Sequence, residues 1–242
     1  MRQDIQINTG DGVTNAALFR PADGKAKAGI IFYMDAMGPR PALYGMAQRL
    51  ADAGYIVLMP DLFYRFGAYG PFTGTAFGDP DSRAKIMTMV RGTRQEMTKS
   101  DTAVFLDTLA AEGAEGPVGV VGYCMGGGRA LTAAGAYPDR VAAAASFHGG
   151  NLASAEEDSP HRLATHIKGK VYVGVAGVDG SFPPEQSARL AEALRTAEVD
   201  HIIENYVGVA HGWTVPDHGA FNENGAERHW KRLLTFFEET LA

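Results

Sequence analysis

The sequence predicts an α/β protein with a mostly parallel sheet of about eight strands and helices on both faces. Apolar runs of strand length alternate with longer amphipathic stretches, which is the pattern of βαβ units. Some runs, such as I-I-F-Y-M at 30–34, are apolar throughout and favour central strands buried on both faces. The 242 residues fit a single domain, 1–242, because α/β folds of this length are commonly one domain and no linker-like run interrupts the chain.

The N-terminal part of the chain predicts a hairpin and then one parallel unit. Arg2–Asn8 and Val13–Phe19 flank the turn sequence T-G-D-G. The apolar strand 28–35 comes next, and a helix over Pro41–Ala53 follows from apolar residues at helical spacing. After another buried strand at 55–60, about twenty aromatic and glycine-rich residues show no period, and loops of that length are usually functional or mobile.

The rest of the chain repeats the strand and helix alternation. Its pattern predicts a helical stretch over 81–113, strands at 117–123, 140–147, 170–176 and 201–207, helices near 125–136 and 184–197, and a terminal helix near 225–241.

Composition excludes several classes of protein. The net charge of −6 and the lack of a Lys/Arg cluster leave no footprint for nucleic acid or an anionic membrane. No apolar run approaches the ~20 residues that span a bilayer, and no signal-peptide pattern opens the chain. A single cysteine excludes an intrachain disulfide, so we expect a cytoplasmic, reducing compartment. The oligomeric state stays open between monomer and homodimer.

That single cysteine, Cys124, lies in G-Y-C-M-G at 122–126, directly after one predicted strand and before a predicted helix. The segment fits the G-x-S-x-G template with cysteine as the nucleophile, where flanking glycines allow a strained turn. The N-terminus of the following helix favours thiolate over thiol. The alternative is a buried structural cysteine in a glycine-rich turn.

Two further residues complete a candidate triad. Asp179 ends the strand V-Y-V-G-V-A-G-V, and His211 follows the last predicted strand in G-V-A-H-G-W. Nucleophile, acid and histidine then occur in the chain order of α/β-hydrolases, each past the carboxyl end of a predicted parallel strand. Separately, His211 could be a solvated loop residue and Asp179 a turn residue. His148, in S-F-H-G-G, is the rival base, and we interpret it as lining the pocket.

An acyl-transfer site also needs donors for the oxyanion. The N–H of Met125, directly after the nucleophile, and that of Ala36, in the loop after strand 28–35, are the predicted pair. Asp35 beside them is interpreted either as a helix-capping acid or as a residue that influences the protonation of the thiol.

These residues together resemble the dienelactone hydrolase family of α/β-hydrolases, over roughly 10–240. The matching pieces are Asp35-Ala36-Met37-Gly38, Pro60-Asp61-Leu62 with Arg65, Gly122-Tyr123-Cys124-Met125-Gly126-Gly127, Gly177 with Asp179, and His211. The resemblance implies Cys124 as nucleophile, His211 as base and Asp179 as its partner. Family members carry glutamate at the position of Asp35. There the glutamate keeps the cysteine of the resting enzyme from pairing with the histidine.

The resemblance also implies substrate contacts. Family members bind a substrate carboxylate with two arginines; Arg83 matches the first, and Val215 occupies the position of the second. Because valine replaces that cation, we expect the substrate to be an apolar or aromatic ester or lactone. The aromatic residues that could line its site are Trp213, Tyr64, Phe63, Phe66, Tyr69, Phe72 and Phe77.

The sequence thus predicts a hydrolase that cleaves an ester or lactone through an acyl-enzyme, with no metal or organic cofactor, because zinc-binding and phosphate-binding motifs are missing. Two alternatives remain open. One is a promiscuous esterase or phosphotriesterase that uses the same triad. The other is a non-catalytic binding protein on this scaffold with Cys124 as a redox-responsive thiol.

Overall fold

The computed structural model describes residues 1–241, which contain one mixed sheet of eight strands. The strands are β1 Arg2–Thr9, β2 Gly12–Phe19, β3 Ala28–Tyr33, β4 Tyr55–Pro60, β5 Val118–Tyr123, β6 Val141–Phe147, β7 Lys170–Val178 and β8 His201–Ala210. Their order in the sheet is β1-β2-β4-β3-β5-β6-β7-β8. Strands β1 and β2 form the predicted antiparallel hairpin, β2 pairs antiparallel with β4, and all other pairs are parallel. The predicted fold class is confirmed.

Six α-helices connect and cover the strands in the described residues. They are α1 Pro41–Asp52, α2 Pro80–Gly92, α3 Gln95–Ala111, α4 Met125–Ala136, α5 Pro184–Thr196 and α6 Glu223–Leu241. Short 3-10 helices occur at Tyr64–Phe66, Ala76–Gly78 and Pro160–His166.

Glycines on neighbouring strands show that helices cover both faces of the sheet. A Cβ on Gly29 of β3 would lie 2.7 Å from the Ala114 side chain just after α3. A Cβ on Gly119 of β5 would lie 2.8 Å from Leu241 of α6. Gly29 pairs with Val118, the residue before Gly119, and successive strand residues point to opposite faces. Helices α3 and α6 therefore pack on opposite faces, close enough that these two positions have no room for a side chain.

The helical stretch predicted over 81–113 is two helices, not one. Helix α2 ends at Gly92, and Thr93 and Arg94 have extended backbone before α3 begins. A Cβ on Gly92 would lie 2.6 Å from the ring of Phe66, so the aromatic loop packs against the chain where the helix ends. Residues 91–96 read R-G-T-R-Q-E, so Gly92 and the gap in apolar periodicity were signals of a helix end that the prediction overlooked.

The functional consequence of the topology is that β5 lies at the centre of the sheet with β6, β7 and β8 parallel to it on one side. Residues that follow these strands meet at one edge, where open α/β sheets bind ligands. No helix in residues 1–241 is long and apolar enough to cross a membrane.

Candidate active site

The strand β5 leads directly into α4 through Cys124, whose backbone φ is 56°. Left-handed backbone is uncommon for a non-glycine residue and persists only where the surroundings enforce it. Here they do so through close approach: a Cβ on Gly122 would lie 1.9 Å from the Gly126 carbonyl oxygen, and one on Gly126 would lie 2.3 Å from the Tyr33 carbonyl oxygen. The Cys124 side chain is partly exposed and lines a cavity.

The pairing of β7 with β8 determines where the acid and the histidine meet. Val178 pairs with Ala210, so the next residues along the two strands, Asp179 and His211, are adjacent. The Nδ1 atom of His211 lies 2.7 Å from Oδ2 of Asp179. The Asp179 side chain is only 3% exposed and that of His211 is 28% exposed, so the acid lies behind the imidazole and the imidazole faces the cavity.

The charges of the three residues depend on one another. Burial alone would lower the pKa of His211, but the negative charge of Cys124 and the hydrogen bond to Asp179 outweigh burial and raise that pKa to about 10. For Asp179, burial favours the neutral acid, yet the His211 bond and hydrogen bonds from Ser181 hold the pKa of the carboxyl below its usual value. At neutral pH, His211 is therefore an imidazolium ion beside an ionised Asp179.

Ala36 and Met125 both line the cavity beside Cys124. Met125 is the first residue of α4, and the first N–H groups of a helix have no acceptor within it. Within the described residues, the N–H of Ala36 also has no protein acceptor. Two backbone donors are thus free next to the sulfur.

His148 does not line the cavity, in contrast to the sequence interpretation. It is 2% exposed and lies beneath Cys124, because β5 and β6 pair Tyr123 with Phe147 and the next residues are neighbours. Its Nδ1 accepts the Cys124 N–H at 3.1 Å, and its Nε2 lies 2.8 Å from Oγ1 of Thr214.

Asp35 has a different role from the two that the sequence suggested. Both of its carboxylate oxygens bind the guanidinium of Arg40, at 2.7 and 2.8 Å, and Oδ1 also accepts the Met37 N–H. Asp35 and Arg40 are 2% and 4% exposed, and Arg40 binds Asp217 with its remaining donors. Asp35 therefore neither caps a helix nor lines the cavity; it forms a buried ion pair.

The cavity above Cys124 has a volume of about 660 Å³ and is lined on one side by Phe77, Met87 and Val90. Arg91 and Arg94 also line it, and both are exposed. The residues 1–241 contain no group of three or more His, Cys, Asp and Glu residues that could hold a metal ion.

The other substrate contacts expected from the sequence lie away from this cavity. Arg83 is exposed on α2. Tyr64 donates to Asp101 at 2.9 Å and contacts Thr9, which ties the aromatic loop to α3 and β1. Trp213 and Val215 are buried in the core, at 0% and 1% exposure. Among the aromatic residues of 63–77, only Phe77 lines the cavity.

The sequence reasoning missed two polar residues that the structure brings to the site. Ser181 donates from its hydroxyl and its N–H to Oδ1 of Asp179, at 2.6 and 2.8 Å. Its position two residues after an aspartate is the spacing of an Asx turn, so the D-G-S sequence carried this signal. Thr214, bonded to His148, had no comparable signal.

A cysteine with positive φ between a strand and a helix, a paired acid and histidine at the same sheet edge, and this strand order are the features of an α/β-hydrolase. The family model for the dienelactone hydrolase family matches residues 14–241. The carboxymethylenebutenolidase of Rhodococcus opacus is 29% identical over 222 residues, covering 88% of this chain and 81% of that protein.

Solved structures agree on the fold. The structure named m3DLH superimposes with a TM-score of 0.83 at 24% identity, covering 100% of this chain and 99% of its own. A dienelactone hydrolase-like promiscuous phosphotriesterase from metagenomic libraries superimposes with a TM-score of 0.80 at 22% identity, covering 99% and 98%. The chain belongs to the dienelactone hydrolase family, as the sequence predicted, and is a hydrolase of that type.

Proposed function

We propose that the protein hydrolyses a carboxylic ester or lactone through a thioester on Cys124. The observation that carries the proposal is the 2.7 Å hydrogen bond between Asp179 and His211. It forms at the sheet edge where Cys124, with its left-handed backbone, connects β5 to α4. Nucleophile, base and a group that orients the base then occupy one site, as nucleophilic catalysis requires.

The first half-reaction would form the acyl-enzyme. The thiolate of Cys124 attacks the carbonyl carbon, and the carbonyl oxygen takes the negative charge beside the N–H groups of Ala36 and Met125. Because Nδ1 of His211 is bonded to Asp179, the proton on Nε2 is the one that faces the cavity. His211 gives this proton to the leaving alkoxide oxygen as the carbon–oxygen bond breaks, and a thioester remains.

The second half-reaction would release the acid. Neutral His211 accepts a proton from water through Nε2, and the hydroxide attacks the thioester carbon. The carbon–sulfur bond breaks, the carboxylic acid leaves, and the thiolate and imidazolium are restored. Asp179 stays ionised throughout and holds the ring in one orientation.

The apolar side of the cavity favours a neutral acyl group, while Arg91 and Arg94 contribute positive charge elsewhere on the lining. Val215 is buried where the resemblance places a cation, and the wall of Phe77, Met87 and Val90 is apolar. We therefore propose small aliphatic or aromatic esters and lactones as substrates.

The test compares the wild type, Cys124→Ala, Cys124→Ser and His211→Ala on 4-nitrophenyl acetate, 4-nitrophenyl butyrate, dihydrocoumarin and a phosphotriester. We expect Cys124→Ala and His211→Ala to lower kcat/KM by roughly 10³-fold or more. His166→Ala, which replaces an exposed histidine, is the matched control and should retain wild-type rates. Mass spectrometry of the wild type with a slow ester should show one acyl group on Cys124.

The outcomes separate the alternatives. Full activity of Cys124→Ala would contradict the nucleophile. Turnover restricted to the phosphotriester would favour the phosphotriesterase alternative. No turnover of any substrate, together with reversible thiol oxidation that changes ligand affinity, would favour the binding protein.

A further inference from the structure

The proposed mechanism does not use the second imidazole beneath Cys124, that of His148. Its ring lies between the rings of Tyr123, His211 and Trp213, with centroid separations of 5.9, 5.0 and 5.1 Å. His148 itself has left-handed backbone, with φ at 40°, and its N–H donates to the Gly174 carbonyl at 2.9 Å. A strained, buried, fully packed histidine at this place requires a physical reason.

The hydrogen bonds of His148 determine its tautomer. The backbone N–H of Cys124 is shared between the Phe147 carbonyl and Nδ1 of His148, each at 3.1 Å, so Nδ1 acts as an acceptor and carries no hydrogen. A neutral ring then has its single hydrogen on Nε2, which donates to the hydroxyl oxygen of Thr214. Protonation on Nδ1 would remove the ring as an acceptor and leave the Cys124 N–H bonded to the Phe147 carbonyl alone.

The surroundings keep this ring neutral. Burial lowers the pKa of His148 well below its ordinary value, and His211, His218 and His229 lower it further when they are charged. His148 therefore remains a neutral ring with one acceptor and one donor while His211 is an imidazolium.

The two partners of His148 belong to different parts of the site. Cys124 is the turn between β5 and α4, whereas Thr214 lies three residues after His211 in the loop that follows β8. The ring thus connects the nucleophile elbow to the histidine loop through bonds of 3.1 and 2.8 Å.

We propose that His148 is a positioning residue that joins the Cys124 backbone to Thr214 and thereby sets the separation of the nucleophile from His211. This inference rests on the proposed function. Both ring nitrogens are engaged and the side chain is buried, so His148 does not act as a second base. A displacement of about 1 Å at such a site costs roughly 10²-fold in rate, which is the scale of effect the bridge can have.

The test breaks the bridge at either end. His148→Phe retains the ring packing but removes both hydrogen bonds, and Thr214→Val removes only the hydroxyl. We expect each to lower kcat for ester hydrolysis about 10–100-fold with little change in KM. Because both substitutions break the same bridge, the double variant should be about as slow as the slower single variant. Thr214→Ser retains the hydroxyl and should lose less than Thr214→Val.

A second measurement needs no turnover. Cys124 is the only cysteine, so the rate of alkylation by iodoacetamide reports this sulfur alone. If the bridge sets the separation of thiolate and imidazolium, the pH profile of alkylation should shift to higher pH in both His148→Phe and Thr214→Val. His166→Phe makes the same substitution on the surface and should leave the profile unchanged.

The results are separable from those of the proposed function. If Cys124→Ala retains activity, the mechanism is wrong, but the alkylation profiles still test the bridge. If His148→Phe does not fold, Thr214→Val carries the test. Wild-type rates in Thr214→Val, or slow turnover with an unchanged alkylation profile, would overturn the positioning role.

Discussion

At the scale of single residues, the site contains two kinds of buried charge. His211 is cationic because its interactions with Cys124 and Asp179 raise its pKa, and Asp179 is anionic because His211 and Ser181 bind it. Arg40 is also flanked by two carboxylates, but it lies behind the cavity and contacts no residue of the candidate triad. The charge of His211 changes during the proposed reaction, whereas the charges of Asp179 and Arg40 stay constant.

Replacement of Asp179 by asparagine should separate the charge of this residue from its shape. Asp179→Asn removes one of the anions that raise the pKa of His211, so that pKa should fall below about 10. We expect kcat to fall roughly 10³-fold, because the imidazole loses both its orientation and its charge partner. The pH–rate profile and the NMR titration of His211 measure the two effects. Ser181→Ala, which retains the Asp179 carboxylate, should lower kcat only about 10-fold. If Ser181→Ala lowered kcat as much as Asp179→Asn does, the charge of Asp179 would not be the cause of the effect.

Asp35→Asn should act on stability and not on the thiol. The substitution leaves the buried Arg40 with Asp217 as its only carboxylate, so we expect the free energy of unfolding to fall by about 3 kcal/mol. Urea denaturation measures this loss. Asp139→Asn breaks an exposed ion pair with Lys168 and should change stability by less than about 0.5 kcal/mol. A shift in the alkylation profile of Cys124 in Asp35→Asn, without loss of stability, would contradict this role.

At the scale of elements, the elbow depends on how closely α4 approaches β3. The first turn of α4 contains three successive glycines, and a Cβ on Gly126 would lie 2.3 Å from the Tyr33 carbonyl oxygen and 2.6 Å from that of Met34. Backbone atoms cannot move aside as a flexible side chain can. Contact with β3 thus keeps the start of α4, and with it Cys124, in place.

Two alanine substitutions in the first turn of α4, on different faces of the helix, test this contact. Gly126→Ala should destabilise the protein by about 3 kcal/mol and remove the elbow geometry, since the new Cβ meets backbone. In Gly128→Ala the nearest atom is the flexible Gln95 amide at 3.2 Å, and alanine favours the helix by about 1 kcal/mol. Thermal unfolding should therefore show a large loss for the first and almost none for the second. Equal changes in the two variants would mean that the contact of Gly126 with the Tyr33 and Met34 carbonyls does not determine the effect.

At the scale of the whole molecule, buried histidines make the fold sensitive to acid. His229 is fully buried; its Nε2 accepts from Tyr123 and its Nδ1 donates to the Ala226 carbonyl. Burial lowers the pKa of His229 to about 3, and the pKa of His148 is lowered as well. Below pH 6.5 the unfolded chain binds protons that these folded residues do not, so stability falls as the pH falls.

His211 has the opposite effect. Its folded pKa is about 10, so the stability it contributes is fully present below 6.5 and is lost as the pH rises toward 10. We therefore expect maximum stability near pH 6.5 from these residues. Well below that pH, stability should fall by about 1.4 kcal/mol per pH unit for each buried histidine. Urea denaturation over a pH series should show that His229→Gln has a shallower acid slope. A variant with the wild-type slope would refute the assignment, and the exposed His166→Gln is the control.

The sequence predicted the fold because buried parallel strands are apolar throughout and helices are periodic. It also predicted that Cys124, Asp179 and His211 follow strands, and parallel topology brings such residues to one edge. Backbone order alone was sufficient for these positions. The break at Thr93 was missed although 91–96 contains no apolar residue; the contact of Gly92 with Phe66, distant in sequence, was not predictable.

Side-chain direction in loops was not predictable in the same way. Trp213 follows His211 by two residues, yet the left-handed Gly212 between them turns the indole into the core, where its ring packs at a tilt against Tyr206, with the centroids 4.8 Å apart. Tyr64 and Arg83 lie in or after a loop without period, where the sequence carries no signal for orientation. The role of Asp35 depended on Asp217 and Arg40, which no motif connects.

The guanidinium of Arg40 has one further consequence. Its planar group binds two carboxylates from different loops. One edge binds Asp35, next to Ala36, and the other edge binds Asp217, in the loop that contains His211. The ammonium group of a lysine at position 40 is a point charge, so it could not form bidentate hydrogen bonds with both carboxylates. The loops of Asp35 and Asp217 would then lose their shared ion pair, and the distance between them, across the proposed acyl site, would no longer be fixed.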